Sequence, residues 1–216
     1  MIGKLVPYVI MIATAVLAFW RDAPYASLLF LLYMAAWYTT RLVLTQGEEN
    51  SVTEERHRLR ERCLTTGVFI GMVVLPILTL ATPLMDFAVY QPFFGQIPIG
   101  ICVGCLGVFV FWRSHADLGK NWSAHLELRK EHYLVTNGIY ARIRHPMYAA
   151  IFLITIAQVF LLSNWIAGPL GLITFTLLYL LRIESEEKMM RSKFGELWDS
   201  YAAETPRLIP TIPSQD

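Results

Sequence analysis

Five long stretches of the chain contain no aspartate, glutamate, lysine or arginine, and they set its architecture. These stretches cover residues 5–20, 23–40, 63–85, 87–112 and 145–181. A helix rises about 1.5 Å per residue, so about 20 apolar residues cross a hydrocarbon core about 30 Å thick. The first four stretches can therefore each hold one membrane-spanning helix.

The fifth stretch is too long to form one straight spanning helix. Ser163-Asn164 interrupts it near the middle, which predicts a tight helical hairpin with arms at 147–162 and 165–182. Each arm is slightly short, so the second one crosses either fully or only in part. The pattern predicts an all-α, polytopic membrane helix bundle with five or six transmembrane helices.

Composition agrees with this fold class. Hydrophobic residues make up 55% of the chain and charged residues 16%, against roughly 25% charged residues in a typical soluble domain. The net charge of +1 offers no attraction for nucleic acid. The three cysteines cannot all pair, which argues against a disulfide scaffold. We therefore expect an integral membrane protein whose surroundings are the lipid bilayer.

The basic residues predict an orientation. In a six-span arrangement, every lysine and arginine except Arg21 lies in the N-terminus, in the loops 41–62 and 113–144, or after residue 181. Cytoplasmic loops of membrane proteins carry an excess of basic residues. Both termini are therefore predicted to be cytoplasmic, and the membrane to be the plasma (inner) membrane if the source is prokaryotic.

Two further patterns have structural interpretations. Ser51-Val-Thr-Glu54 fits a capping box, which predicts a charged, solvated extension of the third helix. Gly100 and Gly104 fit the G-x-x-x-G pattern, which permits close packing of membrane helices. A Cys-x-x-Cys pair shares that helix, and we interpret it as packing rather than as a metal or redox site.

The polar segment 113–148 combines basic residues, aromatic residues and four histidines. Its histidines do not have the spacing of a zinc motif, so no metal site is predicted. Asn137-Gly138 is a turn signal. Pro146 fits the first turn of the next helix, which places Arg144 and His145 at the entry of that helix. These two residues are either a basic interfacial anchor or part of a site.

The segment 182–210 predicts an amphipathic C-terminal helix, because apolar residues recur at three- and four-residue steps: Met190, Phe194, Leu197, Trp198 and Tyr201. Arg182 and Glu186 lie one turn apart and face the apolar side. They form either an ordinary ion pair or, because such charges are costly there, a functional pair. On other faces, we expect Glu184 and Glu187 to pair in water with Lys188 and Arg191.

Together, these two segments resemble the isoprenylcysteine carboxyl methyltransferase family, in its prokaryotic branch. The resemblance covers roughly residues 112–210. The stretches that carry it are Asp117-Leu-Gly-Lys-Asn-Trp122, His132-Tyr-Leu-Val-Thr-Asn-Gly-Ile-Tyr140, Arg144-His-Pro-Met-Tyr148, Glu186-Glu187 with Phe194-Gly195, and Pro206-Arg-Leu-Ile-Pro210.

The resemblance implies an integral membrane enzyme that transfers a methyl group from S-adenosyl-L-methionine. Arg182 would hold the substrate, and Glu186 would face the cofactor beside it, as the two catalytic residues. The implied cofactor-binding residues are Glu127, His132, Tyr133, Leu134, Val135, Tyr140, Arg144, His145, Pro146, Met147, Tyr148 and Glu186. Residues 1–112 would form the N-terminal transmembrane helices and 113–216 the catalytic region, within one structural domain.

The acceptor stays open between two chemistries. A hydrophobic or lipid-like acid is already ionised at neutral pH and needs no general base, and an arginine suits its carboxylate. An amine headgroup would instead need a base such as Glu186. A transporter or structural membrane protein is another alternative, which inverted repeats would support, but we do not find them in the sequence. A membrane reductase that uses NADPH is a further alternative.

Overall fold

The structure is a computed structural model that describes residues 4–21, 25–44, 58–119 and 134–210. These residues form a bundle of α-helices joined by short turns, without a β-sheet in the described ranges. The helices are α1 (Val6–Trp20), α2 (Tyr25–Leu44), α3 (Arg58–Phe69), α4 (Leu75–Ala81), α5 (Gln96–Leu118), α6 (Pro146–Leu162), α7 (Ala167–Phe194) and α8 (Glu196–Glu204).

Apolar helices of membrane-spanning character dominate this bundle. Three of them are long and apolar enough to cross a membrane, namely Leu59–Ala81, which runs through α3 and α4, Gln96–Leu118 and Ala167–Phe194. Shorter apolar helices cover Val6–Trp20, Leu28–Val43 and Pro146–Leu162. The chain is an integral membrane protein, and each of the six apolar helices overlaps a predicted stretch. The capping box at 51–54 lies outside the described residues.

The helix from α3 to α4 contains a π-helical turn at Ile70–Val74. Pro76 follows this turn, and a proline inside a helix lacks an N–H donor and crowds the preceding turn. The Gly71 carbonyl in the wide turn accepts a hydrogen bond of 2.9 Å from Gln158 Nε2 on α6. A buried amide thereby joins the α3–α4 segment to α6.

Glycines bring α5 and α6 close together. A Cβ atom added to Gly100 would lie 2.9 Å from Cβ of Phe160, and one added to Gly107 would lie 3.1 Å from Leu153. Gly104 faces Ala157 in the same interface. The predicted packing function of the G-x-x-x-G pattern is therefore confirmed, and α5 supports α6 along most of its length.

The C-terminal hairpin forms where the sequence predicts it. Ser163 adopts a left-handed conformation with φ 45°, and Asn164 Oδ1 accepts hydrogen bonds from the backbone N–H groups of Ile166 and Ala167. The second arm is longer than predicted, because α7 continues to Phe194 rather than ending at 182. The polar segment after residue 182 contains no glycine or proline until Gly195, so the helix continues into it.

The tail is not one amphipathic helix over 182–210, so that prediction was wrong in its bounds. Gly195, with φ 54°, ends α7 and starts the short helix α8. Arg191 and Asp199 form an ion pair of 2.8 Å across this break. The chain then returns towards the start of α6, and this return builds the site described next.

Candidate active site

A turn after α5 positions the first part of the site. Asp117 near the end of α5 forms a salt bridge with Arg113 at 2.7 Å. Its Oδ2 atom accepts a hydrogen bond of 2.8 Å from the backbone N–H of Ile139. The turn at Gly138–Ala141 is a short 3₁₀ helix, and Gly138 has φ 60°, which glycine adopts readily. The predicted turn at Asn137-Gly138 is therefore present and is anchored to α5.

Tyr140 in this turn is buried and ties α8 to the loop. Its hydroxyl donates to the carbonyl of Ser114 at 3.3 Å, and its own carbonyl accepts a hydrogen bond of 2.7 Å from the Tyr201 hydroxyl. Burial raises the pKa of both phenols. Both groups therefore stay neutral and act as hydrogen-bond donors at physiological pH.

The returning tail lies against the Arg144-His145 motif. The backbone N–H of Arg144 donates to the Pro206 carbonyl at 2.9 Å, and that of His145 donates to the Arg207 carbonyl at 3.0 Å. Pro146 then begins α6, where its missing N–H costs nothing. The predicted position of these residues at the start of the apolar helix α6 is therefore confirmed.

Glu187 is the centre of the charge network, which the sequence analysis did not foresee. Its carboxylate accepts hydrogen bonds from Arg144 Nε at 3.0 Å, His145 Nε2 at 3.1 Å and Arg207 Nη2 at 2.6 Å. Only 15% of its side chain is exposed. The expectation that Glu187 pairs in water with Lys188 or Arg191 was wrong, because the tail folds back and buries it. The hydrogen bond to Glu187 raises the pKa of Arg207.

Arg144 is held by the end of α8 as well as by Glu187. Its Nη1 atom donates to the carbonyls of Ala202, at 3.0 Å, and Thr205. Carbonyls at the C-terminal end of a helix lack partners within the helix and attract cations. Two of the three guanidinium nitrogens thus bind the protein itself, so Arg144 fixes the tail in place.

A second carboxylate, Glu186, faces the other side of His145. The Tyr148 hydroxyl donates to Glu186 Oε2 at 2.7 Å, and His145 Nδ1 lies 3.8 Å from Glu186 Oε1. The imidazole is only 5% exposed, whereas Glu186 is 27% exposed. The Tyr148 ring contacts the rings of Phe175 and Tyr179 on α7. Glu186 is therefore the carboxylate of this cluster that remains accessible.

Arg182 lies one turn before Glu186 on α7, but its ion pair is with another helix. Its Nη1 atom lies 3.9 Å from Glu61 Oε2 on α3. Its Nε atom is buried and has no hydrogen-bond partner within the part of the chain that the structure describes. The side chain is 17% exposed. Arg182 and Glu186 thus face the same region with different partners.

The structure brings most of the predicted site residues to one end of the α6–α7 hairpin. Val135, Tyr140, His145, Pro146 and Tyr148 are buried there, and Leu134, Arg144, Met147, Arg182 and Glu186 are partly exposed. Glu127, His132 and Tyr133 lie outside the described residues. In those that are described, no group of three or more His, Cys, Asp or Glu side chains is arranged to hold a metal ion.

Three residues of the site were missed as participants by the sequence analysis: Glu187, Arg207 and Asp117. All three lie in stretches that carry the family resemblance. The Glu186-Glu187 and Pro206-Arg207 pairs within these stretches were therefore the sequence signals that could have indicated Glu187 and Arg207. Their partners could not be assigned, because the contacts join positions 20 to 43 residues apart.

Comparison with known proteins identifies the same region. Residues 100–192 match the sequence model of the isoprenylcysteine carboxyl methyltransferase (ICMT) family. A protein-S-isoprenylcysteine O-methyltransferase of Schizosaccharomyces pombe is 33% identical over 112 residues, which are 50% of this chain and 47% of that protein. The predicted resemblance to the family is confirmed over the matched region.

Names among the relatives differ. A nickel-cobalt-cadmium resistance protein of Alcaligenes xylosoxydans xylosoxydans is 31% identical over 113 residues, which are 52% of this chain and 50% of that protein. The chain thus spans about half the length of these curated relatives. Identity of this extent supports a shared core over the matched residues.

A solved structure confirms the fold. The eukaryotic intramembrane Ras methyltransferase ICMT aligns over 96% of this chain and 74% of its own chain, with a TM-score of 0.59 and 22% sequence identity. The alignment includes the N-terminal helices, for which the sequence offered only hydropathy. The predicted all-α membrane helix bundle is therefore confirmed.

Proposed function

We propose that this chain, whose residues 100–192 match the ICMT family, is an integral membrane methyltransferase that uses S-adenosyl-L-methionine. Its acceptor in this proposal is the carboxylate of a hydrophobic or lipid-like acid. The observation that carries the proposal is the placement of Arg182 and Glu186. The accessible carboxylate of Glu186 lies one helical turn from the guanidinium of Arg182, whose ion pair with Glu61 is long, and both lie at the polar end of the apolar α6–α7 hairpin.

The residues present fit the proposed cofactor. The cofactor, when bound, supplies a methyl group on a positively charged sulfonium centre. Glu186 provides a negative charge next to the start of α6, and it is oriented by the Tyr148 hydroxyl. Leu134 and Val135 stand just before the turn at Gly138–Ala141, and they are proposed cofactor contacts from the resemblance. Glu127, His132 and Tyr133 remain proposed contacts from the resemblance.

Within this site, His145 is a positioned group rather than a free base. Its Nε2 atom faces Glu187, which can only accept a hydrogen bond while ionised, so the proton belongs on Nε2. Its Nδ1 atom then points towards Glu186. The imidazole, 5% exposed, therefore lies between the two carboxylates.

Arg182 would hold the acceptor. A carboxylic acid with a pKa near 4 is ionised at neutral pH and is already a nucleophile, so the protein needs to remove no proton. What remains is to align the acceptor and exclude water from it. The guanidinium of Arg182 presents a planar fork that matches a carboxylate, and its buried Nε has an unused N–H. The amine and NADPH alternatives are not favoured by the comparisons.

The distribution of lysine and arginine determines how the chain is oriented across the membrane in this proposal. The site, the end of α7 and α8 lie at one end of the bundle, and the Arg21–Asp86 pair lies at the other. We place the site at the cytoplasmic face, where a water-soluble cofactor is present. A plasma (inner) membrane location, if the source is prokaryotic, and a catalytic region at 113–216 complete the proposal.

Binding measurements on the purified protein in detergent test this function. S-adenosylhomocysteine should bind and raise the melting temperature, whereas NADPH should not. The reason is that the accessible carboxylate of Glu186 attracts the ammonium group of S-adenosylhomocysteine, and NADPH has no cationic group. Methyl transfer to a panel of hydrophobic acids and of amine lipids then identifies the acceptor class. Binding of NADPH but not of S-adenosylhomocysteine would overturn the methyltransferase proposal, and transfer only to amines would replace the acid by an amine acceptor.

A further inference from the structure

The start of α3 docks against α7 beside Arg182. Arg60 Nη2 donates a hydrogen bond of 3.2 Å to the carbonyl of Leu181, the residue before Arg182. Glu61 then brings its Oε2 atom within 3.9 Å of Arg182 Nη1. Both α3 residues lie outside the region 100–192 that matches the family. The partner of Arg182 therefore comes from a part of the chain to which no function has been assigned.

The contact between Glu61 and Arg182 is loose. A hydrogen bond between a guanidinium and a carboxylate measures about 2.7–2.9 Å, well below the observed 3.9 Å. Arg182 Nε is buried without a hydrogen-bond partner within the described ranges, and a buried unsatisfied donor costs free energy. Glu61 thus balances the charge of Arg182 without using its hydrogen-bonding fork, so a second carboxylate has donors to bind.

We propose that Glu61 is a specificity-determining residue of the acceptor site. Its carboxylate is the internal counter-ion of Arg182 and competes there with the carboxylate of the acceptor. An acidic acceptor that makes short, bidentate hydrogen bonds displaces Glu61, which is 35% exposed and can turn towards solvent. A neutral acceptor of the same shape gains no such contact. This inference rests on the proposed function, in which Arg182 holds the acceptor.

The physical consequence is a threshold for acceptors. Glu61 lowers the affinity for every acid by the strength of its own ion pair and leaves a neutral analogue unaffected, so at a given concentration only the acids that bind tightly occupy the site. Partly exposed ion pairs are weak, and removing this one should change acceptor affinity by about two- to fivefold. Cofactor binding should not change, because Glu61 does not contact Glu186 or His145 in the network described above.

The test compares four forms of the full-length protein in detergent: wild type, Glu61→Gln, Arg182→Ala and the control Glu196→Gln, which removes an exposed carboxylate on α8. The probes are palmitate and N-acetyl-S-farnesylcysteine, each with its primary amide as a neutral analogue. Calorimetry measures their dissociation constants with S-adenosylhomocysteine present. Melting temperatures and S-adenosylhomocysteine affinities show whether each variant is folded.

In Glu61→Gln, we expect at least one of the acids to bind about two- to fivefold more tightly than in the wild type, with its amide unchanged. Arg182→Ala should weaken the same acid, and Glu196→Gln should match the wild type. Unchanged or weaker acid binding in a folded Glu61→Gln variant would overturn the proposal while leaving the proposed function intact. Binding of neither acid, or tighter binding of both acid and amide, would also overturn it.

The proposed function fails by a different result. If the wild-type protein does not bind S-adenosylhomocysteine, the methyltransferase assignment is wrong, whatever the result for the Glu61→Gln variant. If the acids bind wild type and Arg182→Ala equally, Arg182 does not hold a carboxylate, and both the acceptor assignment and the competition by Glu61 are wrong.

Discussion

Glu187 Oε1 lies 3.1 Å from Nε2 of His145, and this contact joins the middle of α7's polar half to the first residue before α6. The same carboxylate binds Arg144 and Arg207. One side chain thus fixes the end of the hairpin, the loop before it and the returning tail. The accessible carboxylate, Glu186, owes its position to this arrangement, since His145 lies between the two.

The first prediction concerns Glu187→Gln. This variant keeps the shape but removes the negative charge that Arg144 and Arg207 share, so the tail should loosen. We expect a loss of roughly 2 kcal/mol of stability, the value of a hydrogen bond to a charged group, together with weaker S-adenosylhomocysteine binding. Thermal unfolding in detergent measures the loss. Glu184→Gln, which changes an exposed carboxylate on the same helix, is the control, and an equal effect of both variants would contradict the central role of Glu187.

The second prediction separates the anchor and site interpretations of the Arg-His-Pro motif. Tyr148→Phe removes only the hydroxyl that orients Glu186. If Glu186 contacts the cofactor, S-adenosylhomocysteine should bind about fivefold more weakly, and His145→Ala should weaken it further. Melting temperatures show that the fold persists. Normal binding in both folded variants would favour the interfacial anchor.

The third prediction is that Arg182 and Glu186 lose different functions. Arg182→Ala should lower turnover by about 100-fold or more while cofactor affinity changes by less than about twofold, because its partner is the acceptor. Glu186→Ala should weaken cofactor binding as well as turnover. Arg182→Lys should restore little activity, since a point charge cannot reproduce a bidentate fork. Methyl-transfer assays and calorimetry on each variant measure both quantities.

Variants at Arg182 and Glu186 also distinguish an amine acceptor from an acid. If Glu186 were a general base, Glu186→Gln would be nearly inactive, and raising the pH would partly restore its turnover, because the amine would deprotonate without help. Wild-type turnover in both Arg182→Ala and Glu186→Ala would place the active site elsewhere.

The fourth prediction concerns orientation. Cys63, Cys102 and Cys105 are first replaced by serine, because all three are exposed. Single cysteines are then introduced at Ser200 on α8 and at Gln91 in the loop between α4 and α5, both of which are exposed. In intact cells, an impermeant thiol reagent should label position 91 and not position 200, because the basic residues favour the cytoplasm. Labelling at position 200 alone would invert the topology.

The sequence alone determined the apolar framework. Stretches without charge predicted the spanning helices, Ser163-Asn164 predicted the hairpin turn, and Pro146 predicted the start of α6. These features are local, since they depend on side-chain transfer to lipid and on backbone geometry within a few residues. The expected end of α7 at 182 was wrong because a drop in hydropathy marks the membrane surface and not the end of a helix.

The tertiary structure alone decided the partners of the charged residues. Helical periodicity placed Arg182 and Glu186 on one face, but it could not show that Arg182 meets Glu61, 121 positions earlier, or that Glu186 meets Tyr148. Helical periodicity predicted that Glu187 is solvated, because Lys188 and Arg191 are neighbouring cations on the same helix. The returning tail offers Arg207 and aligns Arg144 and His145 instead. The physical reason is that the choice of partner for a charge depends on desolvation and distance in three dimensions, which local spacing does not contain.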